Sequence, residues 1–390
     1  MAEALVNGRV LIDGEFVTGR AVVIDGARIV SILSDGDLPG DIQAVDLQGQ
    51  MLVPGFIDTQ VNGGGDRLFN DDPSVETIAA IGTAHRPFGT TGFLPTLLSD
   101  DAHKVEAALE AVRTAIARGV PGVLGVHIEG PFLNVEKKGI HDAAKLRPLS
   151  DDEIALLSRS TGGRTIVTLA PEQVPADAIR RLTDAGVLVC AGHSNATAAC
   201  IDEALSNGLR GFTHLFNAMS QLTAREPGVV GAALYDEKSW CGLIVDGHHV
   251  DPRVLKLALR AAPLRRFMLV TDAMPSVGGS RTFMIGGETI SVVDGKAANA
   301  DGTIAGSDLD MASAVRNAVK MMDLDLTQAA RMASRYPAEF LGLGHELGRI
   351  APGYRADLVL IDDEVRVQET WIAGRDSAED AEIAERARHG

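Results

Sequence analysis

Three regimes of hydrophobic patterning follow one another along the chain. Residues 6–13, 16–25 and 27–34 are short strand-like runs, separated by Asp13-Gly14 and Asp25-Gly26. Asp-Gly between such runs signals a hairpin, because both residues tolerate the left-handed backbone of a tight reversal. From residue 51 the pattern changes. Apolar runs at 52–58, 91–96, 122–129, 165–170, 188–193, 211–217, 241–246 and 267–272 alternate with amphipathic stretches at 75–85, 102–118, 151–158, 176–185, 196–207 and 252–262. Strands that are apolar on both faces and joined by helices are parallel and covered on both sides. Eight of them predict an α/β fold, a (β/α)8 TIM-like barrel. Residues 218–240 carry no helical stripe, which leaves the barrel irregular there.

In the third regime, residues 281–304 read as a hairpin insertion with turns at Gly286-Gly287 and Asp294-Gly295. Helices are predicted over 308–322 and 326–341. Strand-like runs return at 358–361 and 365–372, and from residue 376 the tail is densely charged, either a solvated helix or unstructured. Each terminal strand region is too small to bury a core alone. The predicted organisation is therefore a small β-sandwich domain from residues 1–52 and 345–390, around a barrel of residues 53–344.

Composition narrows the function classes. The formal net charge of −17 repels nucleic acid and anionic membranes, so neither is an expected partner. An anionic substrate would need a local cationic pocket. Three cysteines, Cys190, Cys200 and Cys241, form no close pairs and fit a reducing compartment. No basic segment followed by an apolar run opens the chain, and no apolar run reaches the ~20 residues of a membrane span. The expected location is the cytoplasm.

Polar residues gather at the C-terminal ends of the predicted strands: Glu129 after the third, His193 after the fifth, His214 within the sixth and Asp272 ending the eighth. Barrel enzymes build their sites at that face. Two imidazoles and a carboxylate suit a catalytic divalent metal with a position left for water. Asp272 could then exchange a proton with that water and with a leaving group. A single histidine or carboxylate at a strand end is usually a hydrogen-bonding or capping residue; four at one barrel mouth favour a metal site. His127, two residues before Glu129, reads first as a core histidine and second as a ligand. His85, His103, His345 and His389 read as surface residues, and Cys190 and Cys241 as apolar fillers. The loop 62–65 (NGGG) lacks the Lys and Ser/Thr of a phosphate-binding loop.

Longer motifs carry a resemblance. Residues 53–58 (VPGFID) and 348–359 (GRIAPGYRADLV) resemble the start and return of the amidohydrolase-superfamily barrel. Residues 127–133 (HIEGPFL), 137–142 (KKGIHD), 191–195 (AGHSN), 213–219 (THLFNAM), 246–250 (DGHHV), 269–273 (LVTDA) and 302–307 (GTIAGS), in this order, resemble the N-acetylglucosamine-6-phosphate deacetylase family over nearly the whole chain. The resemblance implies that Glu129, His193 and His214 bind the metal, that Asp272 is the acid/base, and that His141 polarises the acetamide carbonyl. It further implies that Ile140, Asn217, Ala218 and His249 position sugar and phosphate, that Arg225 pairs with the phosphate, and that Ile304, Ala305 and Gly306 line the sugar side. A homodimer is part of the same expectation, which leaves open whether phosphate contacts come from the neighbouring subunit.

Many superfamily members carry His-x-His after strand one, which holds a second metal. Here Gln60 and Asn62 stand at those positions, and neutral amides are poor zinc ligands. One divalent metal per subunit is expected, zinc first and iron second. Any regulation linked to a cysteine in that loop is not expected, since Gly64 and Gly65 stand there. The alternatives are another hydrolase or deaminase of the superfamily, and a non-catalytic homologue.

Overall fold

A computed structural model describes residues 2–175 and 177–377. The tail expected to be charged and solvated lies, beyond residue 377, outside the described residues, as does His389. Eight parallel strands stand side by side in chain order: Phe56–Val61, Thr90–Leu98, Gly125–Glu129, Arg164–Leu169, Leu188–Ala191, Gly211–Phe212, Trp240–Leu243 and Phe267–Leu269. Helices including Val75–His85, Ala102–Ala117, Ala198–Ser206 and Pro252–Ala261 return the chain to the start of the next strand. Strand bodies and helix stripes share one large apolar core. The expected barrel is therefore the observed one.

The ring closes where strand one meets the segment after strand eight. Asp272 N donates to Gln60 O at 3.0 Å, Asn62 N donates to Ala273 O at 2.9 Å, and Val61 bridges Ala273. Wholly buried Asp58 strengthens this seam: it accepts from the Thr271 hydroxyl and backbone N–H and from Gln60 N. Loss of hydration pushes its carboxyl up to about 7 despite those bonds.

Two further sheets lie beside the barrel, one built from N-terminal strands and one from both ends of the chain. Arg28–Ser34, Arg20–Asp25, Glu3–Val6 and Gln43–Asp46 form one; Val367–Trp371, Leu358–Ile361, Met51–Pro54, Arg9–Ile12 and Glu15–Val17 form the other. Leu5, Val22 and Ile24 of the first sheet and Leu52, Leu358 and Trp371 of the second share a second apolar cluster.

Several boundaries differ from expectation, each for a local reason. The run 6–13 divides at Asn7, whose φ is 55°, and 16–25 divides at Gly19, whose φ is 69°; the chain changes sheet at both points. The run 52–58 divides at Gly55, so Met51–Pro54 joins the terminal sheet and Phe56–Val61 the barrel. A Cβ on Gly55 would lie 2.0 Å from the Thr91 hydroxyl oxygen, so only glycine fits this crossing. The insertion is a three-stranded meander, Thr282–Ile285, Glu288–Val293 and Lys296–Ala298, rather than a hairpin. It covers a third apolar cluster that includes Leu98, Met274 and Ala305, with Ile140 packed against it. A helix, Gly228–Tyr235, lies where none was predicted. His85 is fully buried rather than on the surface: its Nε2 meets Gly63 O at 2.9 Å, because the side-chain-free Gly63–Gly64 strand lets the end of Val75–His85 pack inward. His103 and His345 are exposed.

Candidate active site

Three of the predicted strands that carry site residues end early. Strand five stops at Ala191, strand six at Phe212 and strand eight at Leu269, short of His193, His214 and Asp272. These three residues have left-handed φ values of 49°, 33° and 54°, as does Ala218 at 49°. Such a φ costs a residue with a Cβ on the order of 1 kcal/mol or more, so four together are imposed by the surrounding fold. Their effect is to bend the chain at the barrel mouth and gather the side chains.

Glu129, His193 and His214 offer ligand atoms that all lie within 4.8 Å of one another. Glu129 Oε1 is 3.1 Å from both His193 Nε2 and His214 Nε2, and the two Nε2 atoms are 3.0 Å apart. His193 Nδ1 lies 2.7 Å from Lys137 O. A carbonyl only accepts, so Nδ1 carries the proton and Nε2 presents a lone pair to the carboxylate. Burial works against ionisation of Glu129, but positive charge on the imidazole side would outweigh it and hold its carboxyl well below the usual range. Burial likewise opposes protonation of His214, and Glu129 overcomes it and raises the pKa. A carboxylate and a bare imidazole nitrogen so close together repel unless something positive lies between them. The donor set therefore fits a divalent metal ion.

Asp272 stands beside this group. Its Oδ1 accepts from Asn62 Nδ2 at 2.6 Å and from Gln60 Nε2 at 3.1 Å; Gln60 Nε2 also reaches Glu129 Oε2 at 3.2 Å. No described residue bonds Oδ2. Loss of hydration and the Glu129 charge push Asp272 up to about 6. Gln60 and Asn62 were read only as missing ligands; here they are the two donors that hold Asp272.

These four residues line a pocket of about 200 Å³ together with Ile140, His141, Asn217, Ala218, His249, Ile304 and Gly306. His141 is buried, with its ring edge-on to His193 at a centroid distance of 4.5 Å. Burial in the pocket wall is the main cause that pushes it down to about 3. His249 Nδ1 lies 2.6 Å from Asp246 Oδ2. Two predicted substrate residues lie elsewhere. Ala305 alternates away from the pocket, packing under the insertion. Arg225 is exposed, does not line the pocket, and has no side-chain partner among the described residues. His127 lies below the mouth as a core histidine, with Nδ1 3.1 Å from Thr59 O and Nε2 2.7 Å from the Thr168 hydroxyl. Ser99 and Asp246, which hold His141 and His249, gave no separate signal, although Asp246 opens the quoted DGHHV motif.

Residues 51–377 match the family model described as the amidohydrolase family, and residues 4–52 match the NagA composite domain. The chain is 43% identical to the N-acetylgalactosamine-6-phosphate deacetylase of Shewanella sp. (strain ANA-3), over 94% of both chains. It is 33% identical to the N-acetylglucosamine-6-phosphate deacetylase of Haemophilus influenzae, over 96% of this chain and 99% of that one. The solved N-acetylglucosamine-6-phosphate deacetylase of Pasteurella multocida superposes with a TM-score of 0.93 at 35% identity, over 97% of this chain and 100% of that one. A mutant of the Mycobacterium smegmatis enzyme, in complex with N-acetyl-D-glucosamine-6-phosphate, superposes at 0.88 with 32% identity, over 96% and 99%. With the barrel, the terminal sheets and the carboxylate–imidazole cluster in place, the chain belongs to the amidohydrolase family.

Proposed function

We propose that this protein hydrolyses the acetamide of N-acetylglucosamine 6-phosphate, releasing acetate and glucosamine 6-phosphate. The observation that carries the reading is the set Glu129, His193, His214 and Asp272 in one pocket, in a chain whose curated relatives are hexosamine-6-phosphate deacetylases. A divalent cation held by Glu129, His193 and His214 supplies Lewis-acid polarisation and acidifies water. One such cation is proposed per subunit, zinc first and iron second, since Gln60 and Asn62 spend their N–H groups on Asp272 and Glu129.

The chain's own residues do the rest. Asp272, with Oδ1 held by two amides, takes a proton from the attacking water and returns it to the departing nitrogen. His141 stabilises charge on the acetyl oxygen. Ile140, Asn217, Ala218, His249, Ile304 and Gly306 are proposed to seat the sugar phosphate. Arg225 is proposed to reach a phosphate in a neighbouring subunit, because it stands exposed and unpaired outside its own pocket. The proposed setting is the cytoplasm, consistent with three free cysteines, and among the described residues no helix is long and apolar enough to cross a membrane.

The 43% identity to an N-acetylgalactosamine-6-phosphate deacetylase favours the 4-epimer as a second substrate reading. The test is acetate release from both 6-phosphates and from unphosphorylated N-acetylglucosamine. Turnover of the first, with at least tenfold loss on removing the phosphate, is the expected result; release from the galacto epimer alone moves the assignment to that sugar, and release from neither phosphate overturns the reading.

A further inference from the structure

Ser99 lies immediately after barrel strand two, Thr90–Leu98, and is buried. It meets His141 twice. Its backbone N–H donates to His141 Nδ1 at 3.2 Å, and its Oγ lies 2.7 Å from the same atom. The first contact decides the second. A backbone N–H has no lone pair and can only donate. Nδ1 must therefore present a lone pair, and the Ser99 hydroxyl, facing that lone pair, also donates.

A neutral imidazole carries one ring proton. With Nδ1 bare, that proton is on Nε2. His193 shows the opposite pattern: its Nδ1 faces the Lys137 carbonyl, so Nδ1 holds the proton and Nε2 is bare. Two adjacent imidazoles, edge to face at 4.5 Å, are thus set to opposite tautomers by backbone groups of opposite polarity, one N–H and one C=O.

We infer that Ser99 is a positioning residue for the reaction proposed above: its N–H and hydroxyl fix His141 as the Nε2–H tautomer, so the ring enters the pocket as a neutral hydrogen-bond donor.

The consequence is chemical. A donor is what a carbonyl oxygen gaining negative charge requires, and a ring fixed before substrate arrives needs no reorganisation during the reaction. The other tautomer would aim a lone pair at that oxygen and repel it. Contacts to Nδ1 from two groups of Ser99 oppose a flip of the ring. Removing the hydroxyl leaves the amide contact in place, so the side chain's share is partial.

The decisive measurement needs no substrate. In zinc-loaded protein with 15N-labelled histidine, the His141 ring, assigned by loss of its signals in His141→Gln, should show a proton on Nε2 and a bare Nδ1. A proton on Nδ1 alone overturns the inference. This readout stands whether or not N-acetylglucosamine 6-phosphate proves to be the substrate. With a working substrate, Ser99→Ala should lower kcat about five- to tenfold, the effect of one buried hydrogen bond. KM and zinc content should stay within about twofold of wild type. Ser99→Thr, which keeps the hydroxyl, should recover most of the rate. Equal losses in Ser99→Ala and Ser99→Thr, or a change in KM alone, would assign Ser99 to packing and sink the proposal.

Discussion

At the scale of single residues, the site is made by side chains held in backbone conformations they would not choose. His193, His214 and Asp272 all have positive φ. Two of them are tied by something specific outside the cluster: His193 by the Lys137 carbonyl, Asp272 by Asn62 and Gln60. Asp272→Asn tests the role of the carboxylate cleanly, because an amide oxygen can still accept from Asn62. The expected result is a fall in kcat on the order of 10²–10⁴, the usual worth of a general acid/base, with metal content unchanged. Metal lost in step with activity would instead make Asp272 a ligand. The four chemical residues were legible in the sequence because Glu129, His193 and Asp272 end apolar runs and His214 lies within one, at the face where a barrel places its chemistry. Their backbone was not legible: the apolar runs continue through His193 and Asn217, whereas the strands stop two or three residues before His193, His214 and Asp272, where the backbone turns left-handed. Gln60 and Asn62 were legible as poor ligands only; that their donors meet Asp272 depends on strand one lying next to strand eight, which closure of the barrel decides.

At the scale of elements, the seam between strands one and eight is where the barrel has its fewest ladder bonds and a buried carboxyl instead. Asp58 sits there with its pKa pushed up by burial to about 7 from an ordinary 3.8. The sign follows from proton counting. Between pH 4 and 7 the folded chain keeps a proton on Asp58 that the unfolded chain has released, so stability falls as pH rises through that window. The full cost, on the order of 4 kcal/mol at 1.36 kcal/mol per unit, is present above pH 7. Asp58→Asn removes the titration and keeps the side chain's shape. Its Tm relative to wild type should climb between pH 5 and pH 8; a difference that stays flat would show that Asp58 is ionised throughout. Two other elements show why sequence reading stops where it does. Gly228–Tyr235 is buried around most of its circumference, Gly228 through Ala233 being inside, so it has no polar face and gives no stripe to read. The predicted helix over 326–341 is interrupted at Ser334, giving Leu326–Ala333 and Arg335–Phe340. Pro337 explains the break: its ring lacks an N–H and would collide with the carbonyl of Ala333, so it is tolerated only in the first turn of a new helix.

At the scale of the whole molecule, the proposed chemical residues share one pocket within one chain, but among the described residues no Lys or Arg lines that pocket. The pocket holds the proposed metal ligands, the acid/base and the carbonyl donor, while the protein carries a net charge of −17 that opposes an anionic substrate. Arg225 is exposed, unpaired among the described residues and absent from the pocket wall. A guanidinium placed this way meets a phosphate across a subunit boundary, reaches its own pocket only by a change of conformation, or has no part in binding one. With the proposed homodimer, mixed dimers separate these cases. Arg225→Ala chains keep their own Asp272, and Asp272→Asn chains keep Arg225. If Arg225 serves the neighbouring pocket, a heterodimer of the two has one pocket with every part present. Random mixing makes about half the dimers heterodimers with one working site in two, so about a quarter of the wild-type rate should return when two nearly inactive proteins are unfolded and refolded together. If Arg225 serves its own pocket, no pocket in the mixture is whole and the rate stays at the level of the weaker parents. Recovery that also appears with unphosphorylated N-acetylglucosamine would mean that the residue acts on something other than the phosphate.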